Sequence, residues 1–98
     1  MNTILTIEEY SEQIGVPKEE IKGTSRRYEH KIPRHLYWLY LYLQTDLSKR
    51  AIARKFNMAY SSVHNGIKSI SNLIETEDKI LSDYEDFIST FLHQQEAN

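Results

Sequence analysis

The stretch Asp46–Ile70, DLSKRAIARKFNMAYSSVHNGIKSI, decides the fold. Ile52, Phe56 and Met58 have the spacing of inward residues on a short helix and the turn after it. Val63, Ile67 and Ile70 recur at intervals of four and three on one face of a second helix. Between them Asn57 falls where the chain must turn, and asparagine tolerates the left-handed backbone better than most residues. Ala53 is small enough for two helices to approach closely. The pattern predicts a helix-turn-helix. The other face of the second helix carries Ser61, Ser62 and Asn65, with Tyr60 before them and Lys68 behind. Such groups donate and accept hydrogen bonds at base edges in a major groove. The plainer reading is a helical hairpin with a solvated polar face, since the motif also occurs in proteins that touch no nucleic acid.

With 98 residues the chain predicts one domain spanning 1–98, with 1–5 and 94–98 frayed, and no room for a second, catalytic domain. It has no cysteine, which removes disulfides and thiolate zinc sites, and no charged-then-apolar leader. The cytoplasm is the simplest compartment. The longest apolar run, Leu36 to Leu43, is far shorter than the roughly 20 residues of a membrane span.

The net charge of −2 conceals a strong segregation. Residues 1–20 hold one Lys against five Glu, −4. Residues 21–70 hold ten Lys or Arg against Glu29 and Asp46, +8. Residues 71–98 hold one Lys against seven acids, −6. A polyanion is steered by the local field and not by the net charge, so the acidic ends do not exclude DNA.

Around the central motif the pattern is helical throughout. Thr6 and Glu9 form a capping box, with Leu5 and Tyr10 placed as a hydrophobic staple and Gly15 as the stop. Pro17 opens a short helix over Lys18–Lys22, ended by Gly23. The segment 23–32, GTSRRYEHKI, has no apolar periodicity and reads as a basic loop carrying Arg26, Arg27 and Lys31, suited to phosphate or minor-groove contact. Pro33 then starts a helix, RHLYWLYLYLQT, apolar nearly all round and therefore the hub of a small core. Its aromatics read as core rather than as a base-stacking platform. Ser48 caps the first helix of the motif, on which Arg50 and Arg54 share an exposed face. Thr76 followed by Glu77 and Asp78 reads as a fresh helix start. It precedes a long amphipathic tail helix, Ile80 to Leu92, whose stripe must be buried on its own domain or on another chain.

No phosphate-binding glycine motif is present. His30, His35, His64 and His93 lack metal-ligand spacing, and Asp83, Glu85 and Asp86 lie on a charged helix face. The sequence therefore predicts a protein that is not an enzyme and holds neither metal nor cofactor.

The order of these features over about 85 positions resembles the C-terminal DNA-binding domain of the bacterial replication initiator DnaA. The segment IEEYSEQIGVPKEEIKGTSRR is similar to that domain's opening helices and basic loop. IPRHLYWLYLYLQTDLSKRAIARKF is similar to its long helix and the start of its helix-turn-helix. SSVHNGIKSI stands where the family has T-T-V-x-H-A-x-x-K-I, and NLIETEDKILSDYEDFISTFL resembles the last helix. The resemblance implies an all-α, six-helix domain that binds double-stranded DNA, with Arg26 in the minor groove and Arg34 and His35 near the DNA. Ser61 and Ser62 match threonines that meet bases and phosphates. Tyr60 stands for a base-contacting histidine, Ala59 for an aspartate, and Gly66 for an alanine that touches a thymine methyl; the turn is one residue shorter. These departures fall on the reading head, and the family's ATPase domain has no counterpart in this sequence.

The resulting expectation is a monomer that binds duplex DNA through Arg26, Arg27, Lys31, Arg34, His35, Arg50, Arg54, Tyr60, Ser61, Ser62, Asn65 and Lys68, in replication or transcription control. The alternative is an initiator-like module that docks on a protein partner through the tail helix or the altered recognition face.

Overall fold

The computed structural model describes residues 4–92, and among them every regular element is helical. In order these are α1 (Ile7–Ile14), α2 (Lys18–Lys22), α3 (Tyr28–Gln44), α4 (Lys49–Lys55) and α5 (Tyr60–Glu75). A sixth helical segment, 79–92, changes pitch along its length. No described helix is long and apolar enough to cross a membrane.

The caps form where the sequence places them. Thr6 and Glu9 make the reciprocal capping box, and Gly15 takes φ 78° at the end of α1. Ser48 Oγ accepts from the Ala51 amide at 3.1 Å. Asn57 has φ 55°, with the Met58 amide donating to the Ala53 carbonyl and the Asn57 amide to that of Arg54. That Schellman pair of bonds turns the chain between the two helices of the motif.

α3 is the hub. Leu36, Tyr37, Trp38, Leu39, Tyr40 and Leu41 are all buried, and the helix is exposed only at its two ends, at Tyr28 and Glu29 and at Tyr42 and Leu43. Its most extensive partner is α5, whose Val63, Ile67 and Ile70 face it. The α3 tyrosines also tie down the N-terminal residues. Tyr37 Oη donates to the Leu5 carbonyl at 2.8 Å, and the Leu5 amide donates to Tyr40 Oη at 2.9 Å. Tyr10 Oη donates to the Pro33 carbonyl at 2.6 Å. Burial pushes the Tyr10 phenol well up and that of Tyr37 up to about 12, so both remain donors.

Three expectations are corrected. Ile4 and Leu5 are not frayed but pack against the core, because Tyr37 and Tyr40 hold the Leu5 backbone; 1–3 and 93–98, including His93, lie outside the described residues. The hub helix begins at Tyr28, five residues before Pro33. Arg27 supplies the extended residue before it, Glu29 suits the first turn, and Ile32 already lies on the buried face. Thr76 ends a helix instead of starting one. The Asp78 and Glu77 amides donate to the Leu73 and Ile74 carbonyls, a second Schellman arrangement with Glu77 left-handed at φ 53°, and Asp78 becomes the next N-cap through its 2.9 Å bond to the Ile80 amide.

The tail that follows is a 3-10 helix over Lys79–Tyr84, one α turn over Glu85–Phe87 and a π turn over Ile88–Leu92. Its stripe is used inside the chain. Phe87 meets the rings of Tyr10 at 5.1 Å and Tyr40 at 5.6 Å, and Gln44 Nε2 donates to the Phe91 carbonyl at 2.9 Å. The change of pitch lets Leu81, Phe87, Ile88 and Leu92 all reach the core. Replacing Leu81 or Ile88 with Ala should therefore cost about 2–4 kcal/mol in denaturant titration with no change in sedimentation mass.

Candidate nucleic-acid interface

The basic loop is short because helix α3 starts early, and it is firmly anchored. The buried Arg34 reaches back from α3. Its Nε donates to the Ile21 carbonyl at 3.0 Å, and its two terminal nitrogens donate to the Glu20 and Ser25 carbonyls at 2.8 Å each. These bonds engage the Ile21 carbonyl at the end of α2, add to the one the Glu20 carbonyl accepts from the Gly23 amide, and through Ser25 fix the start of the loop. His30 adds a second tie, with Nδ1 3.0 Å from Ser25 Oγ and 3.3 Å from a Glu20 carboxylate oxygen. Arg34 is thus not a surface contact, as the sequence suggested. The residue is only 4% exposed and its donors are committed to backbone.

The anchored loop and the polar face of α5 enclose one cleft of about 390 Å³. Thr24, Ser25, Arg26 and Lys31 line one side, and Ser62, Asn65, Gly66 and Ser69 the other; Arg34, His35, Trp38 and Met58 complete it. No acidic side chain lines it. A second groove of similar size continues from it past Tyr28, Asn72 and Ile80, with Lys31, His35 and Ser69 common to both. Of the residues expected from sequence, Arg26, Lys31, Arg34, His35, Ser62 and Asn65 are brought together, Arg34 with its donors committed to backbone. Arg27 is exposed beside them, with a 3.5 Å approach to Glu29 at the surface. Arg50, Arg54, Tyr60, Ser61 and Lys68 are exposed on α4 and α5 outside the cleft.

Gly66 departs from the role implied by the resemblance. It is buried, and a Cβ there would lie 2.8 Å from His35 Cδ2 and 2.8 Å from Trp38 Cζ3. A side chain at 66 would meet these rings before any external group, because α5 rides directly on α3. His35 stacks on Trp38 with ring centroids 5.2 Å apart. Burial, then the Arg34 and Lys31 charges, lower its pKa to about 4, so at neutral pH it is an uncharged imidazole.

Ser69 and Thr24 were not singled out in the sequence, although Ser69 lies one and two turns beyond Asn65 and Ser62 on the same helix face and could have been found by that spacing. Thr24 carried no such signal. Lys49 and His64 were also missed. Lys49 Nζ lies 3.2 Å from His64 Nδ1 across the motif, a pairing that depends on how the two helices cross.

Two outcomes follow from this geometry. Arg34→Ala removes three hydrogen bonds, leaving the Ile21 and Ser25 carbonyls without this donor while that of Glu20 keeps the Gly23 amide, and should cost about 2–4 kcal/mol in unfolding free energy, with Arg34→Lys intermediate. His35 binds its proton less readily folded than unfolded, so between pH 6.5 and about 4 the unfolded state holds more protons and stability falls as the pH falls. Denaturant titrations at pH 6.5 and 4.5 should show a smaller loss for His35→Gln than for the parent.

No family model matches the chain, and no solved structure matches it. The chain is similar to the chromosomal replication initiator proteins DnaA of two strains of Leptospira biflexa serovar Patoc. It is 28% identical to each over 90 residues, which are 92% of this chain and 20% of the relative. It therefore spans about a fifth of the length of the curated relatives it matches.

Proposed function

We propose that this chain is a cytoplasmic, non-enzymatic module that binds double-stranded DNA site-specifically, in replication or transcription control. In this reading α5 lies in the major groove, and the loop before α3 carries Arg26 into the adjacent minor groove. The observation that carries it is the acid-free cleft, which sets the exposed Arg26 and the half-buried Lys31 opposite Ser62, Asn65 and Ser69. Cations contact phosphate and fix register, while the short amide and hydroxyl side chains of a helix face read base edges. The similarity to replication initiators supports the same reading. So does the first turn of α5, where Ala59 offers no side-chain cap and leaves amides for a phosphate oxygen.

Selection from a random duplex pool, followed by titration of the selected duplex over a range of salt, tests the proposal. One sequence should be enriched, and log affinity should fall against log salt with a slope of about −4 to −5, as roughly five phosphate contacts require. Ser62→Ala and Asn65→Ala should each relax preference at one or two base pairs, by about 1–3 kcal/mol. No enrichment, with affinity flat in salt, would overturn the reading in favour of a module that docks on protein.

A further inference from the structure

The two helices of the motif are joined at the surface by a run of aromatic and cationic groups. At one end Lys49 Nζ sits 5.2 Å from the centroid of the Tyr42 ring. The same ammonium is 3.2 Å from His64 Nδ1. His64 stacks on Tyr60 with centroids 5.8 Å apart and planes 20° from parallel. At the other end the Arg50 guanidinium carbon lies 4.7 Å from the Tyr60 centroid. The run thus links the end of α3, the start of α4 and the start of α5.

An ammonium has only donors, so Nδ1 of His64 is the acceptor and the ring proton is on Nε2. That fixes the imidazole, which in turn supports the Tyr60 ring. Arg50 adds a cation to the same π system, an attraction that survives at exposed sites. Tyr60 is 41% exposed, and among the described residues its hydroxyl makes no hydrogen bond. The ring is therefore held while its polar tip is left free. A side chain that discriminates between base pairs does so best when its rotamer is set beforehand, because ordering it on binding costs free energy.

We infer that Arg50, His64 and Lys49 are positioning residues that fix Tyr60, and that the Tyr60 hydroxyl is a specificity-determining group at the leading end of α5. The inference rests on the duplex-binding reading and adds to it a division of labour. Arg50 acts through Tyr60 and not as a phosphate anchor, and Lys49 and His64 act without touching DNA.

Selection profiles and free-protein NMR spectra of the full chain and its variants test this. Tyr60→Phe keeps the ring and removes the hydroxyl, and should lower preference at one base pair by about 5-fold or more. Arg50→Ala and His64→Ala should relax the same base pair, His64→Phe should restore it by restoring the stack, and Arg50→Ala should add nothing in a Tyr60→Ala background. Without DNA, the Tyr60 ring protons should shift in Arg50→Ala and His64→Ala. Thermal melts check that each variant is folded, and the volume-conserving Phe variants keep the test decisive if an Ala variant is not. If duplex binding is retained while the Arg50 and His64 variants keep the parent's profile and ring shifts, the inference is overturned. It is equally overturned if Arg50→Ala flattens the salt slope by about one unit with the profile unchanged, the signature of a phosphate contact. A parent that binds no duplex overturns the functional reading and this inference together.

Discussion

Contact between α3 and α5 without an intervening side chain is the constraint on which the rest depends. At Gly66 even a methyl group would lie 2.8 Å from the rings of His35 and Trp38, closer than carbon atoms pack. The absence of a side chain lets Val63, Ile67 and Ile70 seat on α3 and sets the height at which Ser62, Asn65 and Ser69 stand above it. Had residue 66 carried a side chain, the helix would lift, and the cleft opposite the basic loop would change shape. Packing at the core thus determines the geometry of a polar surface.

The other wall of the cleft depends on a buried charge. Arg34 is an expensive residue to bury, and three backbone acceptors compensate it. The bonds run from α3 to the last turn of α2 and to Ser25, so a loop that would otherwise be free is tethered at the residue before Arg26. Arg26 itself remains exposed. An anchored loop with a free tip loses less entropy when its tip engages a ligand, which suits a residue that must enter a narrow groove.

How much of this was legible in the sequence divides along physical lines. Caps and turns are local chemistry, so Thr6, Gly15, Ser48 and Asn57 could be read directly, as could the two helices joined at Asn57 and the all-helical class. The tail stripe was legible as amphipathic, but its pitch changes were not, since they accompany the packing of Phe87 on Tyr10 of α1 and Tyr40 of α3. The resemblance alone places Arg34 near DNA, and only the path of α2 and the loop shows that three carbonyls converge on it. Thr76 also misled. Its composition suits a helix start, but Glu77 takes the left-handed conformation that usually belongs to glycine, and the true cap falls two residues later. The run from Tyr42 to Arg50 joins residues that no periodicity links, and so was out of reach.

A basic surface on a chain of net charge −2 is useful only if its cations are not already neutralised. Among the described residues the side-chain ion pairs are few and peripheral. Lys18 meets Glu8 at 3.1 Å, and its hydrogen bond to that carboxylate is the main cause of the lowered Glu8 pKa. Arg27 approaches Glu29 at 3.5 Å with both side chains mostly in solvent, where such a pair is worth little and yields readily to a stronger anion. Arg26, Arg50, Arg54 and Lys68 have no carboxylate partner among the described residues. The acids of the first and last segments therefore leave the central field intact. They can act at longer range to discourage loose association with a polyanion, while the cleft, lined by no acid, retains its attraction at short range.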